Sequence, residues 1–260
     1  MSDLVLFEKK GKVALIKLNK APVNSYNHDF FMEFGRAIDQ VRFDDGVGVA
    51  IVTSALDGMF SAGADIRMLK ESTPDFKAMF CLNCQETLSK MESTPKLFIA
   101  ALNGTTVGGG MEIALATDLR FVADGEKVKL GLPEVTLGVL PGTGGTQRLP
   151  RLVGKSRALD LMITGRLLSP QEALQIGLVD RVFPAAQFME KTMEYANNVA
   201  NGPCRAVSLI KRAVQQGTEM TLDAGLALER ELQNRLFVTS DAKEGLAAFT
   251  EKRKPQFTGK

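Results

Sequence analysis

Apolar and polar positions change rhythm several times along this chain, and each change predicts an element. Residues 5–8 and 13–18 alternate apolar with polar side chains around Lys10-Gly11-Lys12, the period-two pattern of a hairpin. After the turn Ala21-Pro22-Val23-Asn24-Ser25 the period lengthens. Phe30, Phe31, Phe34, Ala37, Ile38 and Val41 fall on one face of a helix over 28–43, and that stripe reads as core. Residues 47–53 predict a buried strand, followed by small residues leading into a helix capped at or near Asp65. A longer helix over 76–92 carries Phe76, Met79, Phe80, Leu82, Leu88 and Met91 and is stopped by Pro95. The six apolar residues Leu97–Leu102 predict a strand covered on both faces, stopping at Asn103-Gly104 and leading towards the turn Gly108-Gly109-Gly110 and a helix from Met111 to Thr117.

Further along, short strands are expected over 119–123 and 128–130, a loop over 138–146 and a helix over 147–164. Ser169-Pro170-Gln171-Glu172 has the pattern of a capping box, opening a helix that ends near Gly177, and 179–183 is the last strand. From 185 to 253 the pattern is helical almost throughout, broken at Gly202-Pro203 and Gly217. Strands alternate with helices up to residue 183, so the class is α/β. The pattern leaves open a doubly wound sheet or a spiral of repeated units. The chain divides into a core over 1–200 and a helical region over 201–260 that covers the core, a neighbouring subunit or both.

Composition narrows the function. The 260 residues are 45% apolar and 24% charged, ordinary for a globular protein, and the formal net charge of +2 provides no broad basic field for nucleic acid. A small molecule is the expected partner. No apolar run approaches the roughly 18 residues of a spanning helix, and no signal-peptide pattern opens the chain, so a soluble, cytoplasmic protein without membrane partners is expected. Cys81, Cys84 and Cys204 do not make a disulfide framework. Cys81-Leu82-Asn83-Cys84 has redox or zinc spacing, but there is no second pair and the single histidine is His28. The cysteines therefore read as packing residues and no metal is expected.

Glycine-rich turns carry the candidate chemistry. In Gly142-Thr143-Gly144-Gly145-Thr146-Gln147 a dinucleotide fingerprint would need glycine where Gln147 stands, and a phosphate loop ending at Gly154-Lys155-Ser156 would need glycine where Leu149 stands. No nucleotide cofactor is expected. Three glycines at a helix start suggest close approach to the main chain, where free N–H groups face any negative oxygen. A second small-residue turn, Ala62-Gly63-Ala64, also follows a strand and precedes a helix. If the two strands are parallel neighbours, one N–H from each turn converges on one oxygen, as in an oxyanion hole. Glu112 lies in an apolar helix and Glu134 follows Pro133 at a turn. Two such acids in one cleft would make an acid–base pair, whereas at exposed helix starts they would only oppose a dipole.

These segments resemble the enoyl-CoA hydratase/isomerase (crotonase) family: Phe60-Ser61-Ala62-Gly63-Ala64-Asp65-Ile66, Asn103-Gly104 through Gly108-Gly109-Gly110-Met111-Glu112, Gly131-Leu132-Pro133-Glu134, and Pro141-Gly142-Thr143-Gly144-Gly145-Thr146-Gln147-Arg148-Leu149. The resemblance covers essentially the whole chain. It departs at Leu132, where many of the hydratases it resembles carry Gln. The resemblance implies a spiral of ββα units with a helical C-terminal trimerisation region, often two stacked trimers. It also implies an acyl-CoA thioester substrate, with CoA part of that substrate and no separate cofactor. Residue by residue, the amides of Ala64 and Gly109 match the oxyanion hole, and Glu112 and Glu134 match the two catalytic glutamates. Ala62, Asp65, Ile66, Arg67 and Gly142 fall at substrate-binding positions, and Lys252-Arg253-Lys254 falls where a CoA phosphate is met. Hydration of a 2-enoyl-CoA is the implied reaction. The alternatives are a Δ3-Δ2-enoyl-CoA isomerase, a hydratase of cyclic or dienoyl-CoA, and, less in keeping with the balanced charge, a non-catalytic RNA-binding relative.

Overall fold

A computed structural model describes residues 3–259. The hairpin forms as its alternation predicts: β1 (Val5–Lys10) and β2 (Val13–Leu18) pair antiparallel across a turn where Gly11 takes φ +60°. Helix α1 (His28–Phe43) opens at Asn27, whose side chain accepts from the Phe30 amide, and buries the six stripe residues read from the sequence.

From there the chain winds as a spiral. Each turn runs strand, strand, helix: β3 (Val49–Ser54), β4 (Gly58–Ser61) and α2 (Ile66–Glu71) with α3 (Pro74–Ser93); then β5 (Leu97–Leu102), β6 (Gly104–Val107) and α4 (Gly109–Leu115); then β7 (Leu119–Ala123), β8 (Leu130–Gly131) and, after a loop, α5 (Gly145–Val153). The first strand of each turn enters one sheet, ordered β1-β2-β3-β5-β7-β9 with β9 at Arg181–Phe183, and the second strand enters another, ordered β4-β6-β8. Apart from the β1–β2 hairpin, all pairings within the two sheets are parallel. The spiral, not a doubly wound sheet, is therefore the architecture.

Two expectations need correction. The strand Leu97–Leu102 does not feed the triple-glycine turn; β6 intervenes after the single corner residue Asn103, whose side-chain amide donates to the carbonyls of Ser54 and Leu56. The corner is tight enough that a Cβ on Gly104 would overlap the backbone of Gly58. The helix expected over 147–164 is two helices, α5 and α6 (Lys155–Thr164), because Gly154 between them takes φ +87°.

The larger sheet is buried on both faces. One face packs Ile16, Val52, Phe98 and Leu102 against Phe30, Phe31 and Phe34 of α1. The other packs Val13, Leu15, Ile51, Ile99 and Phe121 against Phe188, Ala196 and Ala200 of α8 (Phe188–Ala200). Each fully buried Phe or Ile contributes about 1.5–3 kcal/mol relative to exposure. Between β8 and α8, α7 (Pro170–Gln175) carries the reciprocal Ser169–Glu172 capping box that its sequence predicts.

The chain ends in α9 (Cys204–Gly217), α10 (Leu222–Phe237) and α11 (Ser240–Thr250). Lys211 pins α9 to the core. It is 7% exposed, lies 2.8 Å from Asp118, and donates to the carbonyls of Met91 and Lys96. Beyond it, Leu222, Phe237, Val238, Leu246 and Phe249 stand in solvent, leaving an apolar face without a partner in the single chain. Among the described residues no helix is long and apolar enough to cross a membrane.

Candidate active site

Because β4 and β6 are parallel neighbours, the loops leaving their C-terminal ends emerge side by side. They touch: a Cβ on Gly63, which takes φ +89°, would sit 2.7 Å from the Gly109 nitrogen. Tyr26 bridges to Ala64 in parallel register, its amide donating to Gly63 O (2.9 Å) and its carbonyl accepting from Asp65 N (2.8 Å). In that register the Ala64 amide points away from Tyr26. Gly109 opens α4, where first-turn N–H groups have no partner within the helix. Among the described residues neither amide donates a hydrogen bond, so two free donors project from abutting turns.

The triple glycine has a packing reason at each position. Gly108 takes φ +57° and ψ −135° at the helix cap, outside the range of other residues. A Cβ on Gly109 would overlap the Tyr26 hydroxyl, and one on Gly110 the carbonyl of Ser61. The close approach expected from the sequence is thus made by the protein's own Tyr26 and β4.

Glu112, in the first turn of α4, is 2% exposed, and its Oε1 accepts from the amides of Thr143 and Gly145, both at 2.7 Å. Burial raises its pKa, opposed by those two amides, the Thr143 hydroxyl and the Arg148 charge. Glu134 opens the 3-10 turn Glu134–Leu137, and its carboxylate lies over Gly108, where Oε1 is 3.5 Å from the position of an added Cβ. Both Glu134 oxygens are buried with no hydrogen-bond partner. Burial, reinforced by the nearby Glu112 charge, pushes Glu134 up to about 7. The two acids are close enough for the charge of Glu112 to act on Glu134, and their circumstances are opposite: one holds two amide donors on Oε1 and the other is orphaned, which suits them to opposite ends of a proton transfer.

The other residues singled out in the sequence lie at various distances from this pair. Ala62 donates its amide to Val23 O at the base of the first turn (2.9 Å). Asp65 caps α2, accepting from Arg67 N (3.0 Å), and is 3.4 Å from Lys20. Ile66 and Arg67 are exposed on α2, at the rim of the site. Gly142 anchors the second loop through its carbonyl, which accepts from Gln85 (2.9 Å). In Lys252-Arg253-Lys254 the guanidinium is engaged by Glu244 and Glu251, both at 2.6 Å. Among the described residues no group of three or more His, Cys, Asp or Glu could hold a metal ion.

Three residues were missed: Tyr26, Thr143 and Arg148. Arg148 donates to both oxygens of Glu92 (2.6 and 2.8 Å) and to Thr143 O (3.2 Å), bracing the loop that grips Glu112. The signal for that loop is the run Gly142-Thr143-Gly144-Gly145, weighed from the sequence as a nucleotide cradle and as a family motif, whereas its amides serve a carboxylate of the same chain.

The enoyl-CoA hydratase/isomerase family profile matches residues 8–260. The chain is similar to the short-chain-enoyl-CoA hydratase of Clostridium acetobutylicum, 38% identical over 96% of this chain and 95% of that one. It is also similar to the 2,3-dehydroadipyl-CoA hydratase of Escherichia coli, 37% identical over the full length of both. A solved structure of an enoyl-CoA hydratase from Geobacillus kaustophilus superposes with a TM-score of 0.98 at 53% identity, covering 100% of this chain and 98% of the other. A ββα spiral, two free amides on touching turns, an unequal pair of glutamates and full-length similarity converge on one conclusion: this chain belongs to the enoyl-CoA hydratase/isomerase family.

Proposed function

We propose that the protein is an enoyl-CoA hydratase that adds water across the C2=C3 bond of a 2-enoyl-CoA to give the 3-hydroxyacyl-CoA. The amides of Ala64 and Gly109 receive the thioester oxygen. Water attacks the electrophilic C3, the π electrons move toward C1, and negative charge grows on the oxygen between the two amides. Preorganised donors at such a point contribute about 2.7–4 kcal/mol each to the barrier reduction. Glu112 takes the proton of the attacking water, Glu134 delivers one to C2, and the enolate collapses to the thioester. Asp65, Ile66, Arg67 and Gly142 border the CoA and acyl portions.

The observation that carries this reading is the unequal pair. A carboxylate held by two amides at 2.7 Å serves as base, and an unpartnered carboxyl raised to about 7 keeps about half of its population protonated at neutrality and serves as acid. An isomerase reading needs only Glu134, carrying one proton between C2 and C4. It leaves the buried Glu112 and the loop that grips it without a task, so hydration is favoured. The apolar faces of α10 and α11 support a homotrimer, or a dimer of trimers, built through the region 201–260.

The test is loss of the conjugated thioester absorbance of crotonyl-CoA, beside a 3-enoyl-CoA that would gain it on isomerisation. Glu112→Gln and Glu134→Gln are each expected to reduce hydration by about 10²-fold or more with unchanged circular dichroism. Near-normal turnover in either variant removes the pair from the mechanism. A wild-type protein that conjugates 3-enoyl substrates but hydrates no 2-enoyl-CoA replaces hydration with isomerisation.

A further inference from the structure

The proposed chemistry leaves unused a buried hydroxyl that packs against Gly109, that of Tyr26. Tyr26 is 2% exposed and packed edge-on against Phe31 (ring centroids 4.7 Å apart), with Phe30 and Phe80 beside it. A hydroxyl in such a cage is destabilising unless it is hydrogen-bonded. Its partner among the described residues is the Thr143 hydroxyl, at 3.4 Å, the long end of the range. Thr143 is itself buried and is the hub of the loop. Its amide donates to Glu112 and its carbonyl accepts from Arg148.

Burial, together with Glu112, Cys84 and Glu134, keeps the Tyr26 phenol protonated, so it meets the Thr143 hydroxyl as a neutral group and either of the two can donate. Thr143 reaches Glu112 through its main chain, its amide donating to Oε1 at 2.7 Å beside the amide of Gly145. We propose that Tyr26 holds the Thr143 side chain and thereby fixes the Thr143 amide on the Glu112 carboxylate, a chain of contacts running from the phenol through the loop to the acid. Both are positioning residues. The consequence for turnover rests on the hydratase reading; the chain itself does not.

The experiment uses Tyr26→Phe, which keeps the ring, Thr143→Val, Thr143→Ser and the double variant Tyr26→Phe/Thr143→Val. The full-length protein is labelled with side-chain 13Cδ glutamate, and Glu112 is assigned by the signal lost in Glu112→Gln. A loosened amide donor disfavours the carboxylate, so the pH midpoint for protonating Glu112 is expected to rise in Tyr26→Phe and Thr143→Val, which free the Thr143 side chain, and to stay near wild type in Thr143→Ser. With crotonyl-CoA, kcat is expected to fall about threefold to tenfold in the first two, the span of one net hydrogen bond, with KM within about twofold. The double variant should be no worse than Thr143→Val, because the groups act in series. An unmoved Glu112 midpoint, including one accompanied only by a lower melting temperature, overturns the chain. So do Tyr26 and Thr143 effects that multiply in the double variant. A wild-type protein that hydrates no 2-enoyl-CoA rejects the hydratase reading instead, and the titration still decides the chain.

Discussion

Replacing Glu134 by Gln should abolish the acid and stabilise the fold, by an amount that depends on pH. In the folded chain the Glu134 carboxyl has no hydrogen-bond partner and is raised from an ordinary 4.5 to about 7. Below 4.5 it is protonated both folded and unfolded, and its ionisation contributes nothing to the pH dependence. Between 4.5 and 7 the unfolded chain ionises while the folded one holds its proton, so stability falls as pH rises. Above 7 both are ionised and the full penalty is in force. At about 1.36 kcal/mol per pH unit the rise corresponds to about 3 kcal/mol, and to about 2 kcal/mol once solvent screening of this half-buried residue is allowed for. Gln carries no such charge. With an unfolding entropy of about 0.5 kcal/mol/K for a chain of this length, the variant should melt about 4 °C above wild type at pH 8, relative to their difference at pH 4.5. The assay is thermal melting of both proteins from pH 4.5 to 8.5 at one protein concentration. A melting difference that stays flat across this range, or shrinks as pH rises, refutes the assignment of Glu134 as a strained, orphaned acid.

Three further outcomes are expected. Hydration, which needs Glu134 protonated, should decline as pH rises through about 7, while dehydration of the 3-hydroxyacyl-CoA should increase over the same range; a rate flat from pH 5.5 to 8.5 in both directions would remove Glu134 from proton transfer. Gly110→Ala drives a methyl onto the Ser61 carbonyl and should cost about 1–3 kcal/mol with loss of turnover, so wild-type melting and kcat would mean that α4 and β4 are not in close contact. Lys211→Met leaves Asp118 buried without its cation and should cost about 3–5 kcal/mol in denaturant titration, part of it recovered by adding Asp118→Asn; additive effects of the two substitutions would show that the pair is not coupled.

Elements with a long period or a cap were legible in the sequence. The α1 stripe was read residue for residue, as was the Ser169–Glu172 capping box. The strands of the smaller sheet were harder. At four, four and two residues, β4, β6 and β8 are too short to display alternation, and the sequence pattern assigns no element to β6 although it is what brings the two turns together. The break at Gly154 was hidden because the residues on both sides continue a helical pattern. At the site, family resemblance brought Glu112 and Glu134 together, since nothing in the pattern of two distant acids places them near each other. The inequality between them was not readable, because the amides of Thr143 and Gly145 that create it are backbone groups, present in every residue and distinguished only by where the chain takes them.

The contact between Gly63 and Gly109 has a consequence for how this scaffold diversifies. The two turns meet main chain on main chain, and the Tyr26 ring also closes on Gly109, so neither position 63 nor position 109 has room for a side chain. Under the proposed function, residues lining the rest of the site can be exchanged without disturbing the spacing of the two turns.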